Sequence, residues 1–168
     1  DLVAMVNAVR AAGTVTQSVQ ADLVSAGTLV KDDRSPVTVA DFASQAVISH
    51  YLTAMAEECP LVAEESADEL RLDENAELRV TVTERAKTQW DGANEENVLE
   101  AIDRGQAPCD GTGQYFTLDP IDGTKGFLRG EHYAIALFAV ALPQGVFLPQ
   151  LARGWDLPAR RNRGALSP

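Results

Sequence analysis

The segment Thr117-Leu118-Asp119-Pro120-Ile121-Asp122-Gly123-Thr124-Lys125-Gly126-Phe127 holds two carboxylates three residues apart, around a proline and beside a glycine. A proline-stiffened turn at a strand's end can bring both acids to one point, because a loop is not bound to the alternating faces of a sheet. The carbonyl of Ile121 can then point inward between Asp119 and Asp122. Oxygen donors of this kind suit a hard divalent cation such as Mg²⁺, whose shell is commonly completed by waters and a substrate phosphate. The spacing differs from an EF-hand loop, which alternates its acids and ends on a later Glu. Gly123-Thr124-Lys125-Gly126 also lacks the Lys-Ser/Thr order of a nucleotide P-loop. On spacing alone, such a peptide is more often a plain turn than a metal site.

Two acidic elements lie upstream. Glu64-Glu65-Ser66 follow the short apolar run Leu61-Val62-Ala63 after Pro60, which reads as the end of a strand. Asp41 closes Ser35-Pro36-Val37-Thr38-Val39-Ala40-Asp41 and stands at the head of a helical pattern over 40–57, with Phe42, Ala46, Val47, Tyr51, Leu52 and Met55 on one face. An acid at a helix start satisfies unpaired N–H groups and the helix dipole, so a capping role for Asp41 competes with a chemical one.

The remaining pattern supplies the elements that must position these acids. Leu2, Met5, Val6 and Val9 open an amphipathic helix that continues to about Leu23. Between Glu57 and Glu100 there are 14 acidic and 4 basic residues, which predicts a mostly solvated surface with helical pieces and chemically idle acids. Residues 94–104 read as one capped helix and 105–113 as a loop. Tyr115 to Leu118 predicts a strand that stops at Asp119-Pro120, residues 119–130 a loop, and Tyr133 to Leu142 a nearly continuous buried strand. From Pro143 the character changes: Arg153, Arg160, Arg161 and Arg163 face a single acid, Asp156, with no apolar periodicity. Residues 143–168 therefore read as an atypical tail outside the fold.

Composition narrows the functional classes. A chain of 168 residues, 45% hydrophobic, with a formal net charge of -11, predicts one soluble globular domain and argues against nucleic acid as a partner. The longest apolar stretch, Tyr133 to Leu142, is about half of the ~20 residues a membrane-spanning helix needs, so no membrane partner is expected. Cys59 and Cys109 are far apart in sequence with no metal-spaced neighbours, which predicts incidental thiols in a reducing compartment. His50 and His132 likewise stand alone, and Trp90-Asp91-Gly92 reads as a turn. The sequence opens at Asp1 rather than Met, and a cytoplasmic location is the expectation.

Taken together, Asp119-Pro-Ile-Asp-Gly-Thr124, Glu64-Glu65-Ser66 after an apolar strand, and Ser35-Pro-Val-Thr-Val-Ala-Asp41 resemble the lithium-sensitive, magnesium-dependent phosphatase superfamily that includes inositol monophosphatase. The continuation Lys125-Gly126-Phe127-Leu128-Arg129-Gly130 looks most like the 3'(2'),5'-bisphosphate nucleotidase branch. Members of that branch remove the 3'-phosphate of adenosine 3',5'-bisphosphate and often act on its sulfated precursor. The resemblance covers roughly residues 1–142 and implies an α+β fold, a layered α/β sandwich of the inositol monophosphatase type with only its N-terminal half present. It implies Glu64, Asp119, Asp122 and the Ile121 carbonyl as metal ligands, and Asp41 and Thr124 as the residues that orient and deprotonate the attacking water. Asp122, Gly123 and Thr124 would meet the substrate. The implied cofactor is Mg²⁺, as two ions about 3.5–4 Å apart that prepare water and neutralise the leaving oxygen. Cations would also reconcile an acidic protein with a small phosphorylated nucleotide, without a basic surface. Lys125 and Arg129 could assist at the phosphate, although long cations on a loop are usually solvated, and Glu65 reads as an outer neighbour of Glu64.

The match departs from the family after residue 142. Relatives carry a second half with a Trp-Asp-x-Ala-Ala element whose Asp is another ligand. Here Trp155-Asp156-Leu157-Pro158-Ala159 lies only 34 residues after Asp122, and its proline and arginines make a poor packed helix, so Asp156 reads as coincidence. The expectation is a truncated phosphatase of impaired activity, with an uncovered sheet open to self-association. A catalytically silent cation- or nucleotide-binding domain, and an inositol phosphate phosphatase, are the alternatives.

Overall fold

Helix α1 (Leu2–Ser25) packs against α2 (Pro36–Met55) through small side chains. Ala11 shares one core cluster with Phe42, Ala43 and Ala46, while Ala8 and Ala12 share another with Ile48 and Leu52. Every residue of α2 from Phe42 to Ser49 is buried, which is how a helix surrounded by core on all sides reads. The computed structural model describes residues 2–25, 36–109 and 113–142; the tail expected over 143–168 lies outside the described residues.

After α2 come β1 (Leu61–Ala63), two 3-10 turns, α3 (Ala76–Lys87) and α4 (Glu95–Asp103), then β2 (Gly113–Asp122), α5 (Thr124–Leu128) and β3 (Ala134–Leu142). The strands form one mixed sheet in the order β1-β2-β3, with β1 and β2 parallel and β2 and β3 antiparallel. The helix and sheet content agrees with the expected α+β class. One core cluster joins α1 and α2 to α3 and α4 through Val15, Phe42, Val47, Leu70, Val82 and Ile102. A second seats Ile48 and Leu52 on Leu61, Phe116 and Leu118 of the sheet. Burying side chains of this size stabilises the fold by about 1.5–3 kcal/mol each.

A local signal sets the start of α4. Asn94 and Asn97 form a reciprocal capping box at the start of α4, with N···O distances of 3.1 and 2.8 Å, as the polar start to residues 94–104 predicts. The stretch expected to be mostly solvated surface also feeds the main core, where its Ala67, Leu70, Leu78, Val82, Ala86 and Val98 are buried. Three further expectations are corrected. Helix α2 begins at Pro36, so Asp41 stands in its second turn, beyond the unpaired N–H groups that a cap serves. Strand β2 does not stop at Asp119-Pro120 but runs to Asp122, and the following loop contains α5. Strand β3 is only partly covered, with Ala134, Ala139 and Ala141 exposed and Phe138 half exposed.

Candidate functional site

Parallel pairing sets the carboxyl end of β1 beside Leu118, four residues before β2 ends at Asp122. The last paired rung is Ala63↔Leu118, so one step further the register sets Glu64 beside Asp119. Two stretches more than fifty residues apart in sequence thereby meet at one end of the sheet. Helix α2 supplies Asp41 to the same place.

The end of β2 after Leu118 is shaped by an irregularity in the ladder. Asp119 pairs with Ala136 and Asp122 with Ala134, so β2 carries one residue more than β3 over this interval. Acids three residues apart on a regular strand would point to opposite faces, and such a bulge resets that alternation. The Ile121 N–H donates to Asp119 Oδ1 at 3.1 Å, which fixes one carboxylate oxygen, while the Ile121 side chain is buried beneath the turn. Gly123 then takes φ 98°, a left-handed conformation that glycine adopts without a Cβ clash. Thr124 and Lys125 follow as exposed residues at the head of α5; Asp122 and Arg129 are also exposed. Among the described residues, no hydrogen bond joins Thr124 to the Asp41 carboxyl.

Electrostatics confirms that the acids share a neighbourhood. Burial, then the charges of Glu65, Glu64 and Asp119, push the Asp41 carboxyl from 3.8 up to about 8. Asp119 is raised by burial and by Glu64 and Asp122, against the lowering effect of the Ile121 N–H. Glu65 is raised by burial, then by Glu64, Glu69 and Asp119. The charges acting on these three groups are all acidic, and like charges held together favour the protonated forms. Hard oxygen donors without a paired base are the donor chemistry that a divalent cation requires, so the residue set fits one. The acids are gathered but not closed: among the described residues, no three His, Cys, Asp or Glu side chains converge tightly enough to hold an ion. Two surface cavities, of about 350 and 360 Å³, lie elsewhere, one lined by Arg10, Thr14 and Tyr51 and the other by Gln17, Glu131 and Tyr133.

The backbone of the acidic turn is held by residues that motif spacing does not reveal. Gln45, fully buried, donates through Nε2 to the Glu65 carbonyl at 2.7 Å and to the Ile102 carbonyl at 2.9 Å, and its Oε1 accepts from the Glu65 N–H at 3.1 Å. Gln106 Nε2 also donates to the Glu65 carbonyl, at 2.8 Å. Asp103 Oδ1 accepts from the Ala67 N–H at 2.9 Å and pairs with Arg71. The only sequence signal for Gln45 is its place one helical turn after Asp41 on a face that is otherwise apolar or small. Other candidates have structural settings. His50 stacks on Trp90 with ring centroids 4.1 Å apart, and Cys59 and Cys109 are free thiols.

Residues 2–145 match the Inositol monophosphatase family, and the chain belongs to it. Among similar proteins, a 3'(2'),5'-bisphosphate nucleotidase of Oryza sativa is 42% identical over 147 residues, 82% of this chain and 41% of that protein. A 3'(2'),5'-bisphosphate nucleotidase of Schizosaccharomyces pombe is 40% identical over 177 aligned positions, covering 95% of this chain and 50% of that protein. The 3'(2'),5'-bisphosphate nucleotidase 1 of Candida albicans is 36% identical over 142 residues, 77% of this chain and 39% of that protein. The chain thus spans half or less of the length of these curated relatives. Among the described residues, no helix is long and apolar enough to cross a membrane.

Proposed function

We propose that the chain is the acidic, N-terminal part of a Mg²⁺-dependent phosphatase acting on the 3'-phosphate of adenosine 3',5'-bisphosphate, and on its sulfated precursor. The observation that carries this reading is the parallel β1–β2 register that sets Glu64 beside Asp119, with Asp41 of α2 within electrostatic reach of the same acids. Glu64, Asp119, Asp122 and the Ile121 carbonyl would hold the cations. Bound there, divalent ions supply a lowered water pKa and neutralise charge on the leaving oxygen. Asp41 and Thr124 orient and deprotonate the attacking water, and Asp122, Gly123 and Thr124 face the phosphate. The names of the similar proteins favour a phosphorylated nucleotide over an inositol phosphate.

The test is phosphate release from adenosine 3',5'-bisphosphate with Mg²⁺, with EDTA and in Asp119→Asn. Release that needs Mg²⁺ and Asp119 is expected; release indifferent to both overturns the mechanism. A second reading, a silent cation- and nucleotide-binding domain, draws on the open spacing of the acids and on the chain's span of 41–50% of two of its relatives. Calorimetry showing Mg²⁺ and nucleotide binding without turnover would select it.

A further inference from the structure

We infer that Gln45 is a positioning residue that clamps the acidic turn Glu64-Glu65 to α2 at a fixed offset from Asp41, and that Gly105 keeps open the space its amide occupies. The inference deepens the metal-dependent phosphatase reading and rests on it for the role of the acids. Regular pairing of β1 ends at Ala63, whose N–H still finds the Gly105 carbonyl at 2.8 Å. Two residues on, Glu65 lies past the last paired rung of β1, and the Gln45 amide accepts from its N–H and donates to its carbonyl. Its second donor goes to Ile102 at the end of α4, so both amide hydrogens are used.

Chemistry at this position is narrowly specified. Methionine would fill the volume but leave the Glu65 N–H and the Ile102 carbonyl without this partner. Glutamate would lose both donors and add a charge beside Asp41, Glu64, Glu65 and Asp119. Gln106 reaches the Glu65 carbonyl too, but of these two amides Gln45 is the one that links the turn to the helix that bears Asp41. Gly105 supports the clamp from the other side: a Cβ there would lie 2.6 Å from Gln45 Nε2, 2.8 Å from Ala63 Cβ and 3.0 Å from the Ile102 carbonyl oxygen. Gly105→Ala therefore disturbs the same amide without altering Gln45.

The test joins residue-resolved hydrogen exchange to Mn²⁺ binding, followed by calorimetry, on the whole chain. In the wild-type chain the Glu65 amide should exchange at least tenfold more slowly than an unprotected peptide amide of the same local sequence; exchange at the unprotected rate overturns the clamp whatever the variants do. Gln45→Met and Gly105→Ala should each speed Glu65 exchange tenfold or more and weaken Mn²⁺ binding by about 10-fold or more, as loss of a supporting contact does at other metal sites. Val82→Ala, a core truncation in α3, should lower stability but leave Mn²⁺ affinity unchanged. Unaltered Glu65 exchange in either folded variant overturns the inference. If wild-type chain takes up no Mn²⁺, the phosphatase reading fails instead, while the exchange data still decide the clamp.

Discussion

The ring of Tyr133 meets the ring of Phe127 edge-on, with centroids 5.0 Å apart, while its hydroxyl shares a 2.8 Å hydrogen bond with Thr16 of α1. Phe127 is fully buried and clusters with Val19, Ala40 and Ile121, so the turn from Asp119 to Thr124 rests on an apolar peg between α1 and α2. Removing the peg should cost as much as other large core truncations. Phe127→Ala is expected to lose about 3–5 kcal/mol in urea unfolding, and Tyr133→Phe about 0.5–1.5 kcal/mol. A Phe127→Ala loss below 1 kcal/mol would show that the turn is held by something else.

Gly126 lies where the chain folds back on itself. A Cβ there would stand 2.1 Å from the His132 carbonyl oxygen, a backbone atom that cannot rotate away. Gly126→Ala should therefore destabilise by about 1–3 kcal/mol, the usual range for forced overpacking. Thermal unfolding measures it, and an unchanged or raised midpoint would contradict the close approach.

Crowding these acids costs stability. Asp41, raised from 3.8 to about 8, favours folding fully below 3.8, and that contribution fades as pH rises toward 8. Asp41→Asn in EDTA at pH 8 should gain on the order of 1 kcal/mol, allowing for solvent screening, while losing any phosphate release. The gain should shrink to nothing near pH 4. A loss of stability at pH 8, by chemical denaturation, would remove the repulsion account.

His50 predicts a different pH response. Burial lowers its pKa below 6.5 in the folded chain, where it stacks on Trp90. Between that lowered value and 6.5 the unfolded chain binds more protons, so stability falls as pH drops below 6.5. His50→Phe keeps an aromatic stack and removes the titration. The stability difference between variant and wild type, followed by urea unfolding from pH 7.5 to 5.5, should grow in the variant's favour as pH falls; a flat difference would refute it.

Local chemistry determined by itself the opening helix, the capped start at Asn94 and the apolar strand before Glu64-Glu65, because each depends on neighbours a few residues apart. It also marked which acids to watch among many. Tertiary structure alone decided that Asp41 lies past the helix start, that Asp122 still belongs to a strand and that Gln45 holds Glu65. Those facts depend on where α2 begins, on a one-residue bulge against β3 and on hydrogen bonds spanning 20 and 57 positions. No periodicity records such partners, since a buried amide and an exposed one look alike in a sequence until the fold brings an unpaired backbone to one of them.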